Sequence, residues 1–134
     1  MPAAAEIANW LAKYPPDQIT RCKELDPTSP IKDSIDLAFK DDHDLNRNIK
    51  RFNLLNRIDT TLDHLKQNSY TEVTDPQMDD IVVYCKKDRV VHYGKIIENG
   101  KVIQKIADSD TFITDLHVEP FGCDKIFIMR KQHR

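Results

Sequence analysis

The chain has 134 residues, 40% of them hydrophobic, enough for one cooperative core and too few for two. Its 20 basic and 22 acidic side chains are interspersed and leave a formal charge of -2, so no global field holds it on nucleic acid or an anionic membrane. The basic clusters at Lys86, Lys87, Arg89 and at Arg130, Lys131, Arg134 read as solvated edges.

No apolar stretch is long enough for a transmembrane helix. The N-terminus lacks a basic leader and a continuous apolar run, being interrupted by Glu6 and Asn9, so no cleavable signal is expected. The chain as given is expected in the cytoplasm, or exported by a route without such a signal. Cys22, Cys85 and Cys123 are an odd set without C-x-x-C spacing, which argues against a disulfide framework and a structural zinc. With three glycines and no phosphate-cradling loop, no nucleotide, metal or organic cofactor is expected. The acidic "DDHD" run, Asp41 to Asp44, reads as a solvated helix end, because consecutive residues rarely converge on one ion.

In chain order, Ile7, Trp10 and Leu11 mark an amphipathic helix over Ala3 to Lys13, stopped by Pro15 and Pro16. "DPTSP", Asp26 to Pro30, is a loop. Ile35, Leu37, Ala38 and Phe39 predict a helix starting at Asp33 or Ser34, both good N-cap types, and ending in "KDDHDLNRN". Phe52, Leu55, Ile58, Leu62 and Leu65 continue at helical spacing with a break near Asn53 and Asn56. Thr60 and Asp63 resemble a capping box for a helix over Thr61 to Gln67.

The character changes near Asp75 and Pro76. Strands follow at Ile81 to Lys86, Arg89 to Ile97, Lys101 to Ala107 and Lys125 to Arg130, with a fifth around Phe112 to Val118. Helices first and strands after predict a single α+β domain over 1–134. Its helical part, 1–74, packs on a C-terminal antiparallel meander of four to five strands, 75–134.

The hairpin "VVHYGKIIENGKVIQK", Val90 to Lys105, carries the chemistry. "ENG" permits a two-residue Asn-Gly turn or a three-residue loop with Gly100 left-handed. In the first, Gln104 lies opposite Lys95, on the other face from His92. In the second it lies opposite Gly94 and is the diagonal neighbour of His92, about 7–8 Å away between backbone positions. Gly94 then leaves room for the reach, and a glutamine carbonyl accepting one imidazole proton leaves the other nitrogen as a base. The plainer reading is a half-buried, satisfied His92 with Gln104 at a solvated edge.

"HYGKIIENGKVIQK" resembles the histidine motif of the NlpC-type peptidases of the papain-like superfamily. There H-x-G is followed by a polar residue twelve positions after the histidine, the spacing of His92 and Gln104. "DPQMDDIVV" is similar to the P-G-D-hydrophobic turn leading into that strand, with Asp80 at the acidic position and Asp79 in place of the glycine. "DSIDLAFKDD" and "TLDHLKQNSYTEV" resemble the N-C-hydrophobic-A and T-L-hydrophobic segments of small bacterial papain-like domains.

The resemblance covers residues 31 to 130 and implies a catalytic set of nucleophile, His92 base and Gln104 orienter. The nucleophile begins a helix, where the dipole and free N–H groups lower a thiol pKa and bind an oxyanion. Ser34 stands at that position, a far weaker nucleophile than cysteine. It is a degenerate site, an engineered replacement, or a sign that the nucleophile is elsewhere, with Cys22 the runner-up.

Two functions follow as expectations. One is a papain-like thiol hydrolase or amide-processing domain (protease, amidase, deamidase or acyl transfer), such as an effector or toxin domain, inactive as given if Ser34 replaces the cysteine. The other is a non-catalytic pseudo-enzyme or interaction module on the same scaffold. Either has a peptide or protein partner.

Overall fold

In the computed structural model the described residues are 4–14, 19–21, 33–51, 57–106, 111–119 and 121–132. Cys22, the "DPTSP" loop and the apolar positions Phe52 and Leu55 lie outside them. The described residues form an α+β domain with four α-helices, α1 Ala4–Lys13, α2 Ser34–Ala38, α3 His43–Arg51 and α4 Ile58–Gln67. Seven strands complete it: β1 Ile19–Arg21, β2 Tyr70–Val73, β3 Ile81–Lys86, β4 Arg89–Ile96, β5 Val102–Lys105, β6 Thr111–Thr114 and β7 Lys125–Lys131. None of these helices is long and apolar enough to cross a membrane.

The N-termini follow capping chemistry. Asp33 opens α2 by accepting from the Asp36 N–H at 2.8 Å. The acidic run expected to be a helix end instead starts a helix: Asp42 accepts from the Leu45 N–H at 3.2 Å, and α3 follows. Only Leu45 and Ile49 of α3 are buried, four residues apart, and that narrow stripe is enough to dock it. The expected capping box at Thr60 is not the start of α4. The helix begins at Ile58, and Arg57 at its cap position makes no side-chain cap bond. Its anchor is the β3–β4 turn, where the Ile58 N–H donates to the Asp88 carbonyl at 3.1 Å.

All strand pairs are antiparallel, in the order β1-β6-β5-β4-β3-β7-β2. Strands β3 to β6 are the expected meander, but the sheet is larger than four to five strands. β7 does not extend the meander. It returns to the far side of β3, placing Ile126 beside Tyr84 and Ile128 beside Val82, and β2 pairs outside it. β1 and β2 are three and four residues long and escape a periodicity reading.

The sheet buries both faces. On one, Ile35 and Ala38 of α2, its C-cap Phe39, Leu45 and Ile49 of α3, and Leu62 and Leu65 of α4 pack on Val83, Cys85, Tyr93 and Met129. Cys85 is core. On the other, Val82, Tyr84, Ile96 and Val102 lie under Leu116 and Cys123, and Trp10 of α1 meets Phe112 edge-on at 5.4 Å.

Candidate functional site

A β-bulge sets the direction of His92. Tyr84 pairs with His92 and Cys85 with Val90, so Val91 is an extra residue and is exposed. Val90 and Tyr93 therefore both point to the helix-covered face, and His92 points to the opposite one. Its imidazole lies beside the rings of Tyr84 at 5.4 Å and Phe121 at 4.6 Å, and the residue is only 3% exposed.

The turn at Glu98–Gly100 is the three-residue form. The Ile97 N–H donates to the Lys101 carbonyl at 2.8 Å, and Asn99 and Gly100 are left-handed at φ 64 and φ 71. Lys95 pairs with Ile103 and Ile96 with Val102, so counting back sets Gln104 opposite Gly94 and diagonal to His92. The two side chains meet at 3.0 Å between His92 Nε2 and Gln104 Oε1.

The rest of the network fixes the proton. Gln104 Nε2 donates to Thr114 Oγ1 at 2.6 Å and to the Val118 carbonyl at 3.0 Å. A carbonyl only accepts, so the amide orientation is determined and Oε1 faces the imidazole. His92 therefore carries its proton on Nε2, leaving Nδ1 as the basic nitrogen. Thr114 Oγ1 donates its own hydrogen bond to the Asp115 carbonyl at 2.9 Å. Burial holds the His92 pKa down to about 4, against the opposing pull of the Gln104 bond. The imidazole is neutral at neutral pH.

Gly94 has a different use from the one its place in the hairpin implies. The space beside it is filled by Val102 and Tyr84: an added Cβ would stand 2.6 Å from Val102 Cγ1 and 3.3 Å from Tyr84 Cε2. Gly94→Ala is therefore expected to cost about 1–3 kcal/mol by overpacking, read as a lower urea midpoint at constant slope. An unchanged midpoint would mean that β5 yields freely there.

Ser34 is not brought to this pair. It opens α2, from which Ile35 and Ala38 pack in the cluster with Tyr93, whereas His92 lies among Tyr84, Phe121 and Gln104 on the other side of the sheet. The described cysteines do not supply a nucleophile either. Burial, then the Asp124 charge, raises the Cys85 thiol to about 11, and burial followed by Glu119 raises that of Cys123. Among the described residues no group of three or more His, Cys, Asp or Glu side chains is arranged to hold a metal.

Asp80, read as the acidic member of the turn motif, is a structural clamp. Its carboxylate accepts from the Gln77 N–H at 2.8 Å and takes Arg130 Nε and Nη2 at 3.0 and 2.9 Å. Asp79 stands at φ 76, a conformation that favours the glycine it replaces. Phe121, Thr114 and Val118 complete the surroundings of His92 and were not legible as site residues, because they come from β6 and the segment after it. Comparison with protein-family models, with curated proteins and with solved structures found no match for this chain.

Proposed function

We propose that this chain is a pseudo-enzyme, a non-catalytic binding domain for a peptide or protein, on a scaffold that resembles the papain-like one. The observation that carries this reading is the enclosure of His92. Its Nε2 is tied to Gln104, the residue is buried beside the rings of Tyr84 and Phe121, and the helix bearing Ser34 packs on the opposite face of the sheet. A general base needs hydrogen-bond reach to the proton it abstracts. A buried network that ties His92 through Gln104 to Thr114 and Val118 instead specifies and rigidifies the hairpin.

The test is iodoacetamide labelling of a Ser34→Cys variant at mildly acidic pH, with mass spectrometry locating the adduct. The introduced thiol is expected to react at the rate of an ordinary exposed cysteine, with no change when His92→Gln is added. Fast labelling that His92→Gln abolishes would overturn the reading. The second reading, a papain-like thiol hydrolase or amide-processing domain with cysteine at position 34, would then replace it. That reading is favoured by the His92–Gln104 bond at the family spacing. Fast labelling of Cys22 in the unmodified chain would make that residue the nucleophile.

A further inference from the structure

Among the described residues the sheet ends at β2, and the phase of its pairing decides which backbone groups are used. The Gln132 N–H donates to the Ser69 carbonyl at 2.7 Å, and the register then sets Tyr70 opposite Lys131, Thr71 opposite Arg130, Glu72 opposite Met129 and Val73 opposite Ile128. Bonded pairs alternate along an antiparallel ladder, so Thr71 and Val73 bond to β7, and the N–H and C=O groups of Tyr70 and Glu72 point out of the sheet. No strand among the described residues takes up these two donors and two acceptors.

Natural sheets guard such an edge with lysine, proline, a bulge or a covering element. β2 reads YTEV, and its pairing with β7 contains no bulge. Side chains alternate, which sets Glu72 on the helix-covered face with Tyr70 and sets Thr71 and Val73 on the other. Thr71 and Glu72 are both exposed, so the middle of the strand is open on both faces. Glu72 makes no hydrogen bond or ion pair among the described residues.

Outward N–H and C=O groups on alternate residues fit the backbone of another extended chain. A second copy of this chain is a poor match: β2 and its neighbours Asn68, Ser69, Thr74 and Asp75 hold no basic residue, so pairing β2 with itself brings no cation opposite Glu72. We propose that an extended peptide of a partner protein adds to β2 as a further antiparallel strand. A lysine or arginine stands opposite Glu72, with β-branched residues opposite Tyr70, Thr71 and Val73, the cross-strand pairs that stabilise such a ladder. This rests on the binding-domain reading and names how the peptide is held. Fast, His92-dependent labelling of Ser34→Cys would remove that reading, whereas a peptide that binds away from β2 removes only the strand addition.

The experiment is an amide-resonance titration of the ¹⁵N-labelled full chain with the capped peptide acetyl-Ser-Val-Lys-Thr-Val-Ser-amide. Two controls are the same peptide N-methylated at its lysine, which removes the donor to the Glu72 carbonyl, and the peptide with glutamate in place of that lysine. The parent peptide is expected to give saturable shifts centred on Tyr70 to Val73, with both controls at least about tenfold weaker. Glu72→Pro removes an outward N–H and no bond of the β2–β7 ladder, so it should abolish binding while the spectrum stays dispersed. Glu72→Lys should reverse the preference, favouring the glutamate peptide. No saturable shift by about 10 mM peptide, a range that admits millimolar affinity, would overturn the proposal. So would shifts centred elsewhere, an N-methylated peptide that binds as well as the parent, or concentration-dependent shifts of Tyr70 to Val73 without peptide, which would give the edge to a second copy. If Glu72→Pro does not fold, Glu72→Lys decides, and an unchanged preference sinks the proposal.

Discussion

Phe39→Ala is expected to destabilise the domain by about 3–5 kcal/mol, the range for removing a buried phenylalanine from a packed core. Phe39 is 1% exposed, at the end of the five-residue helix α2. Its ring meets Tyr93 of β4 edge-on at 5.4 Å and Tyr70 of β2 at 6.2 Å. One side chain therefore ties a helix too short to be stable alone to two strands that are not neighbours in the sheet. Urea unfolding gives the check: the midpoint should fall with little change in slope. A loss below about 1 kcal/mol would mean that α2 is not docked as described, since a cavity of this size cannot be created so cheaply in a close-packed core.

The second large effect is a loss of stability on mild acidification that belongs to His92. Its pKa falls from 6.5 to about 4 on folding, because burial penalises the imidazolium. Above about pH 6.5 both folded and unfolded chains hold it neutral, and the contribution to stability is fully present. Between about 6.5 and 4 the unfolded chain takes up a proton that the folded chain refuses, so stability falls as pH falls. Below about 4 both are protonated and the loss is complete, on the order of 3 kcal/mol. Denaturant midpoints measured from pH 7.5 to 4 check this beside His92→Gln, which can still donate to Gln104 but does not titrate. The variant should show a shallower decline in that window. Parallel curves would mean that the imidazole is not held neutral, and the enclosure argument for a non-catalytic site would fail with it.

Much of the local structure was legible because it depends on neighbours in the chain. The prolines after α1, the aspartate and serine opening α2, the existence of a turn at Glu98–Gly100 and the apolar runs of β3 and β4 each act over a few residues. Helix α3 was hidden because two apolar residues among nine are too few for a periodic signal, and Leu45 and Ile49 dock only when a sheet face is already present. β1 and β2 were hidden because short edge strands are extended chiefly through pairing with β6 and β7, which are distant in sequence.

The candidate site divides along the same line. The hairpin by itself allowed two registers, and both satisfy the local turn chemistry. The structure has the three-residue turn, and that register buries Gln104 where Thr114 and Val118 accept its amide protons; both come from outside the hairpin. The sequence alone therefore determined an α+β chain with a histidine and a glutamine spaced to meet across a turn. Whether that pair faces position 34 was decided only by the tertiary structure. The bulge at Val91 sets the phase of His92, and α2 covers the face of Tyr93, the opposite one.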